Sequence, residues 1–98
     1  MSDALPSGLI FVRRTPLFAR ATVPSALLST HSVKRGTWGL LHVEQGSLLY
    51  CRDGDIADSR TVPAGGAALI EPEMPHHVQL LDEETAFFIE FYRQDVDQ

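Results

Sequence analysis

Polar and apolar positions alternate over several short stretches of this chain, and the 3.6-residue spacing of an amphipathic helix rarely persists. Residues 38–44 alternate, with Leu41 and Val43 on one face and His42 and Glu44 on the other. Six prolines divide the chain into segments too short for ordinary helices. The pattern therefore predicts short β-strands.

The predicted strands are separated by turns at residues 45–46, 53–54, 63–66 and 82–85. Strands are predicted at residues 9–12, 38–44, 47–52, 56–62, 67–70, 76–81 and 86–92, with weaker candidates at 17–22 and 26–33. Asp53-Gly54 predicts a tight hairpin turn, because both central positions of such a turn favour a positive φ. The last stretch is dense in aromatic and β-branched residues, which favours a strand. A helix starting near Asp82 is the alternative, and it would bury large side chains almost all round its axis.

Many short strands joined by such turns are typical of an all-β sandwich or a small barrel. A length of 98 residues fits one domain, residues 1–98, with a core at about 9–93 and termini that fray. A small antiparallel fold has to protect the edges of its sheets from further strand pairing. We therefore expect two copies to pair as a homodimer, through an exposed strand or a sheet face.

Composition and charge narrow the range of partners. The chain has 8 basic and 13 acidic residues and a net charge of −5, which provides no positive field for a nucleic-acid backbone. It has no apolar run of the ~20 residues that a membrane helix needs and no signal-peptide pattern, so a cytoplasmic protein with no membrane partner is expected. Cys51 is the only cysteine, which leaves no partner for an intramolecular disulfide or a cysteine zinc cluster, and a reduced, half-buried thiol is expected.

Residues 65–76, Gly-Gly-Ala-Ala-Leu-Ile-Glu-Pro-Glu-Met-Pro-His, resemble the second conserved motif of the cupins, in which a turn glycine leads through a strand to a loop ending in Pro-His. The spacing of a longer set is similar to a family of small cupins that includes the N-terminal domain of tellurite-resistance methyltransferases and YeaR-like proteins. That set comprises His31, Lys34, Gly36-Thr-Trp-Gly39, Leu41, Val43, Gly46, Leu48, Pro72, His76, Val78 and Phe91-Tyr92. The resemblance covers about residues 12–92 and implies a jelly-roll-like double-stranded β-barrel with a metal or ligand site.

The chain departs from the wider cupin pattern at the metal ligands. If Gly46 is matched to the glycine that closes the first cupin motif, Gly39 occupies the position that is usually a metal-binding glutamate. The two positions that are usually metal-binding histidines then fall near Val33 and Arg35, which are not histidines. The usual set of three histidines and one glutamate is therefore incomplete. The 98 residues also contain no glycine-rich nucleotide loop of a methyltransferase half, so the resemblance does not imply tellurite methylation.

Two histidines are the strongest candidates for a divalent-metal site. His76 follows the rigid Pro75, and alternation places it on the same face as Val78, which we expect to point into the barrel, while His77 falls on the opposite face. His31 matches the family position and is expected to approach His76 across the barrel. A neutral imidazole is a common ligand of zinc, nickel, iron and manganese. The alternative interpretation is that neither histidine binds a metal. His76 would then be bonded to a backbone carbonyl, and His31 would lie at the surface.

Five other residues are weaker candidates. His42 lies out of phase with the core and is predicted to face outward into solvent, and Glu90 is expected at the surface or in a dimer interface, although either would complete a metal site. Thr37 and Trp38 would line a ligand pocket, and Arg35 would attract an oxyanion at its mouth. A core aromatic and a solvated charged loop are the alternative interpretations of Trp38 and Arg35.

These residues favour a binding protein over an enzyme, because the ligand set is incomplete and no nucleophile lies in a recognisable motif. We expect a small cupin-type module whose pocket takes a divalent metal or a small carboxylate or oxyanion. A link to tellurite or oxyanion stress rests on the resemblance alone. A metal-dependent enzyme of the dioxygenase or isomerase type and a metal-free dimeric interaction module are the alternatives.

Overall fold

The computed structural model describes residues 5–54 and 57–94, which form two antiparallel sheets. In that part of the chain the strands are β1 Leu9–Arg14, β2 Phe18–Ala19, β3 Thr37–Gln45, β4 Ser47–Arg52, β5 Asp58–Pro63, β6 Ala67–Ile70, β7 His76–Leu80 and β8 Ala86–Gln94, with a 3-10 helix at Ser25–Leu28. The larger sheet has the order β1-β8-β3-β6, with β2 beside β8, and the smaller sheet has the order β5-β4-β7. The predicted all-β class is confirmed, and the sheets form a jelly-roll-like sandwich that is not closed into a barrel.

The core lies between the two sheets and follows the alternation of the strands. Leu41, Phe87 and Ile89 are buried from the larger sheet, and Leu48 and Val78 from the smaller sheet. Full burial of such a side chain contributes roughly 1.5–3 kcal/mol. The inner face of β3 is the one that the sequence pattern predicts.

Gly46 carries the chain from the larger sheet to the smaller one. Its φ is 68°, and a Cβ at this position would lie 2.7 Å from Thr85 Oγ1 and 2.9 Å from Thr85 Cα. Thr85 is fully buried, and its hydroxyl donates to the Ser47 carbonyl oxygen at 2.7 Å. The predicted turn at residues 45–46 is therefore a corner between sheets, where a side chain has neither the space nor the favoured φ.

Two strand predictions before β3 are wrong in whole or in part. The stretch 26–33 is not a strand, because Pro24 precedes a 3-10 turn in which the Leu27 amide donates to the Pro24 carbonyl oxygen at 3.0 Å. Of the candidate at 17–22, only Phe18–Ala19 pairs with β8, and the Val23 amide returns to the Ala19 carbonyl oxygen at 2.8 Å. Local hydrogen bonds replace strand pairing around Ala19 and Pro24, and His31 later in the segment forms a single isolated β-bridge.

The connection between β4 and β5 is longer than predicted. The register pairs Arg52 with Asp58, which excludes a two-residue turn at Asp53-Gly54. The Asp53 amide donates instead to the Pro75 carbonyl oxygen at 2.7 Å. This bond ties the end of β4 to the loop before β7, and the chain reverses between Arg52 and Asp58.

The strand predicted at 86–92 is confirmed, since β8 lies between β1 and β3 and pairs with both. The helical alternative for this stretch is therefore wrong. The predicted strand start at Ile56 lies outside the described residues, as do residues 1–4 and 95–98 of the termini predicted to fray, 1–8 and 94–98. Gln94, which that prediction includes, is paired with Leu9 at the end of β8. Within the described part of the chain, no helix has the length and apolar character needed to cross a membrane.

Candidate metal and ligand site

His31 and His76, called here the imidazole pair, lie side by side and are joined through both backbones. The His31 amide donates to the His76 carbonyl oxygen at 2.9 Å, and the His76 amide donates to the His31 carbonyl oxygen at 2.8 Å. The centroids of the two rings lie 4.3 Å apart, with 59° between the ring planes. The structure thus brings together the two histidines that the sequence predicts as one site.

The local sequence explains how each ring is placed. Pro75 restricts the backbone before β7, and strand alternation turns His76 to the inner face of the smaller sheet, where only 2% of it is exposed. His31 comes from the segment between the 3-10 helix and β3, where the Glu73 amide also donates to the Val33 carbonyl oxygen at 2.9 Å. His31 is half-buried. The pair therefore extends from the core toward the surface.

Backbone carbonyls fix the tautomer of both rings. His31 Nδ1 lies 3.0 Å from the Ser29 carbonyl oxygen, and His76 Nδ1 lies 2.7 Å from the Met74 carbonyl oxygen. A carbonyl oxygen can only accept a hydrogen bond, so each Nδ1 must carry the proton. In the neutral rings, each Nε2 then carries an available lone pair.

Burial lowers the pKa of His76, and the hydrogen bond to the Met74 carbonyl opposes this effect. The charge of the neighbouring His31 lowers the pKa of His76 further. His76 is therefore neutral at pH 7 and presents an acceptor at Nε2. Such a group suits a metal cation or a hydrogen-bond donor better than a bare anion.

Tyr50 lies beside the imidazole pair and is a residue that the sequence analysis missed. Its ring centroid is 5.6 Å from that of His76, and 4% of the residue is exposed. The hydroxyl is buried and has no hydrogen-bond partner among the described residues. Alternation with Leu48 predicts that Tyr50 points inward. A tyrosine on the core face of β4 is the sequence feature that could have identified it as a site residue.

His42 and Glu90 form a separate pair on the outer face of the larger sheet. His42 Nε2 lies 2.9 Å from Glu90 Oε1, and the His42 ring stacks on Phe88 with centroids 4.8 Å apart. Arg14 Nη2 approaches the other carboxylate oxygen at 3.5 Å. The two side chains are 32% and 18% exposed. His42 faces outward as predicted, on the side of the larger sheet away from the imidazole pair, and it is hydrogen-bonded to Glu90 where a solvated side chain was predicted.

The three predicted pocket residues lie around the start of β3. Trp38 points outward, because the next residue, Gly39, faces the core. Its indole Nε1 is buried and has no hydrogen-bond partner among the described residues. Thr37 precedes it, and Arg35 is exposed in the turn before β3. In residues 5–54 and 57–94, none of the three forms a hydrogen bond, ion pair or ring contact with the imidazole pair.

His77 points to the face of β7 opposite His76. Its Nδ1 lies 2.6 Å from Asp53 Oδ2, and the Thr30 hydroxyl donates to the same oxygen at 3.1 Å. The hydrogen bond from His77 holds the pKa of Asp53 below its usual value. Cys51, the cross-strand neighbour of His77, is a buried free thiol whose pKa is raised by burial. A raised pKa disfavours the thiolate form that reactive cysteines use.

Comparison with known proteins defines the family. A family model described as the TehB-like domain matches residues 13–89. The chain belongs to the TehB-like domain family. It is 29% identical over 97 residues to the probable S-adenosyl-L-methionine-dependent methyltransferase TehB of Haemophilus influenzae, covering 95% of this chain and 34% of that protein. It is 25% identical over 96 residues to the uncharacterized protein YeaR of Escherichia coli K12, covering 90% of this chain and 81% of that protein.

Solved structures show the same architecture for this TehB-like domain. A crystal structure of an Escherichia coli K12 protein matches with a TM-score of 0.85 and 26% identity, covering 94% of this chain and 97% of that one. The crystal structure of TehB from Haemophilus influenzae matches with a TM-score of 0.76 and 26% identity, covering 90% of this chain and 32% of that one. The chain spans about a third of the length of the TehB relatives. The predicted resemblance to TehB and YeaR is confirmed.

The imidazole pair of the TehB-like domain supplies two nitrogen ligands. Within the described residues, no cluster of three or more His, Cys, Asp or Glu side chains is placed to hold a metal ion. Two imidazoles with available Nε2 atoms fit zinc, nickel, iron or manganese as a partial ligand set, which water or a small ligand would complete. The Tyr50 ring lies against His76, and its hydroxyl is buried without a partner among the described residues.

Proposed function

We propose that this TehB-like domain is a small-ligand-binding module that holds one divalent metal ion between His31 Nε2 and His76 Nε2. The observation that carries the proposal is the pair of anchored Nδ1 atoms, each bonded to a backbone carbonyl, with the two rings adjacent. Metal-binding histidines are commonly oriented in this way, because the bond at one nitrogen fixes the lone pair at the other.

The charge state of the pair supports a metal as the first ligand. A neutral His76 offers a lone pair and no proton at Nε2, so a bare anion would find no donor on this ring. A bound ion with open positions would supply Lewis acidity and accept a small carboxylate or oxyanion. A role in handling tellurite or another oxyanion extends this proposal through the resemblance to tellurite-resistance methyltransferases.

Binding is favoured over catalysis by the state of the two reactive groups on β4. Burial raises the pKa of both the Tyr50 phenol and the Cys51 thiol, so both keep their protons at neutral pH. Neither is prepared to act as a nucleophile or a general base. An enzyme of the dioxygenase or isomerase type is the alternative, and it would consume oxygen or convert a small acid when loaded with iron, manganese or nickel.

Metal retention by the imidazole pair tests the proposal. Protein purified without an affinity tag is stripped with a chelator, equilibrated with Zn²⁺ or Ni²⁺, dialysed and analysed for metal. We expect the wild type to retain a stoichiometric amount and the double variant His31→Asn/His76→Asn to retain only background. Asparagine keeps a side-chain N–H near the position of Nδ1, so the bonds to the two carbonyls can persist while Nε2 is removed.

His77→Asn is the matched control, because it makes the same replacement one residue away on the opposite face. This variant is expected to retain as much metal as the wild type. Circular dichroism establishes that all three proteins are folded. Equal background metal in the folded wild type and the folded double variant would contradict the proposed site.

We also propose that two copies of the chain pair through β1, which ends the strand order of the larger sheet. Phe11 and Val12 on this strand are 53% and 49% exposed. An end strand with large exposed apolar side chains favours pairing with another chain. The second candidate function, a metal-free interaction module, rests on this same surface.

Light scattering during gel filtration tests the pairing. We expect the wild type to elute with twice the mass of one chain and Phe11→Lys to elute as a monomer, because the lysine places a charge in the paired surface. Leu81→Lys is the control, since Leu81 is 45% exposed and lies outside β1. A monomeric wild type at high concentration would exclude the pairing and the dimeric module with it.

A further inference from the structure

We propose that the Tyr50 hydroxyl donates a hydrogen bond to an oxygen of a small carboxylate or oxyanion bound beside the imidazole pair. This inference rests on the proposed function, because the same ligand would be held by the metal at His31 and His76. Tyr50 lies on β4 and His76 on the neighbouring strand β7. Their ring centroids are 5.6 Å apart, with 36° between the planes.

The Tyr50 hydroxyl is buried, and the described residues offer it no hydrogen-bond partner. Folded proteins pair the large majority of their buried polar atoms, so an unpaired hydroxyl on a ring that lies against His76 indicates a partner outside the described residues, and a ligand of the site is the partner we infer. A phenylalanine would fill nearly the same volume without this unpaired group. The hydroxyl is therefore better explained by a ligand atom than by packing.

The hydrogen-bonding atoms define the chemistry of that ligand. The Tyr50 phenol carries an O–H and can act as a donor. Each Nδ1 of the imidazole pair is bonded to a backbone carbonyl, which leaves the Nε2 atoms for the metal. An anionic ligand would thus place one oxygen on the metal and another on Tyr50. The class is a small anion with at least two oxygens, such as a carboxylate or an oxyanion.

Anion titration of the Co²⁺-loaded protein tests this assignment. Co²⁺ takes the same ligands as Zn²⁺, and its visible absorption responds to an added ligand. Formate and nitrite are the probes. We expect Tyr50→Phe to bind Co²⁺ as tightly as the wild type and to bind either anion about tenfold more weakly, since one hydrogen bond to a charged group is lost.

Tyr92→Phe is the matched control. The Tyr92 hydroxyl donates to Glu90 Oε1 at 3.4 Å on the outer face of the larger sheet, away from the imidazole pair. Its removal is expected to leave both Co²⁺ and anion affinities unchanged. The ligand-free melting temperature of Tyr50→Phe is expected to equal or exceed that of the wild type, because the substitution removes an unpaired buried hydroxyl.

The outcomes separate this inference from the proposed function. Normal Co²⁺ binding with equal anion affinity in the wild type and Tyr50→Phe would overturn the role of Tyr50 and leave the metal site intact. The same holds if the Co²⁺-loaded wild type responds to neither anion. A wild type that binds no Co²⁺ would overturn both proposals.

Discussion

His76 and His77 are neighbours on β7, and their surroundings differ in almost every respect. His76 lies between the sheets, donates from Nδ1 to a backbone carbonyl, and has a pKa lowered by burial. His77 lies on the outer face and binds the Asp53 carboxylate through Nδ1 at 2.6 Å. Two adjacent positions on one strand thus hold histidines of different kinds. His76 offers a lone pair at Nε2, and His77 is bound to a carboxylate.

The difference shows that the group bonded to Nδ1, together with burial, determines what a histidine can do. A carbonyl holds the ring in a neutral tautomer and leaves Nε2 available to a metal. A carboxylate accepts a charge-assisted bond from the ring N–H and ties two chain segments together. For His77 these segments are β7 and the end of β4, where Asp53 lies. The first arrangement suits binding, and the second suits local structure.

Zinc is expected to stabilise the protein through His76 and not through His77. At a free zinc concentration about 100 times the dissociation constant, binding to the folded state adds roughly 2.7 kcal/mol. The melting temperature of the wild type and of His77→Asn should therefore rise by roughly 10–20 °C with Zn²⁺, and that of His76→Asn should not. Thermal unfolding by circular dichroism, with Zn²⁺ or with EDTA, measures the effect. An equal rise in His76→Asn would remove the distinction between the two histidines.

The pH dependence of the stability of the metal-free protein is expected to distinguish His76 from His77, with a smaller effect than zinc. The pKa of His76 is lowered from 6.5 in the folded state, so the unfolded state binds more protons as the pH falls through that value. The free energy of unfolding of EDTA-treated protein should therefore decrease between about pH 7.5 and pH 5. The decrease should be smaller in His76→Asn. In His77→Asn the part of the decrease that His76 causes should remain. Urea denaturation at a series of pH values gives the comparison, and identical slopes in the wild type and His76→Asn would contradict it.

The smallest expected effect is the loss of stability caused by replacing Asp53, the partner of His77. The folded-state pKa of Asp53 is lowered from 3.8, so its contribution to stability is present above that value and is lost as the pH falls through the folded-state pKa. Asp53→Asn should lower the melting temperature slightly at pH 7, by less than zinc raises it, and should leave zinc affinity unchanged. A double-mutant cycle with His77→Asn measures the coupling of the two side chains. Reduced zinc affinity in Asp53→Asn would show that the two faces of β7 are not independent.

The sequence predicted the parts of this molecule that depend on alternation along a single strand. The inner face of β3 and the inward direction of His76 follow from a period of two, and the strand β8 follows from its aromatic and β-branched residues. The segment at 26–33 could not be predicted in this way, because Pro24 and nearby backbone bonds produce a 3-10 turn where apolar residues suggest a strand. The corner at Gly46 depends on its contact with Thr85, which is distant in sequence.

The candidate site depends more strongly on three-dimensional pairing. The family resemblance and the alternation placed His31 and His76 together, but the carbonyls of Ser29 and Met74 reach Nδ1 only because of the local backbone course. The unpaired hydroxyl of Tyr50 likewise becomes visible only when β4 and β7 are paired. Neither the local backbone course around a histidine nor the pairing of distant strands follows from a simple sequence pattern.

The tautomers of the two imidazoles test the central claim most directly. Long-range ¹H–¹⁵N correlation spectra of the histidine side chains distinguish a proton on Nδ1 from one on Nε2. We expect His31 and His76 to carry the proton on Nδ1 in the zinc-free protein, and Zn²⁺ to shift the Nε2 resonances of these two rings while those of His77 stay in place. Protons on Nε2 of the pair, or zinc-induced shifts confined to other histidines, would contradict the account.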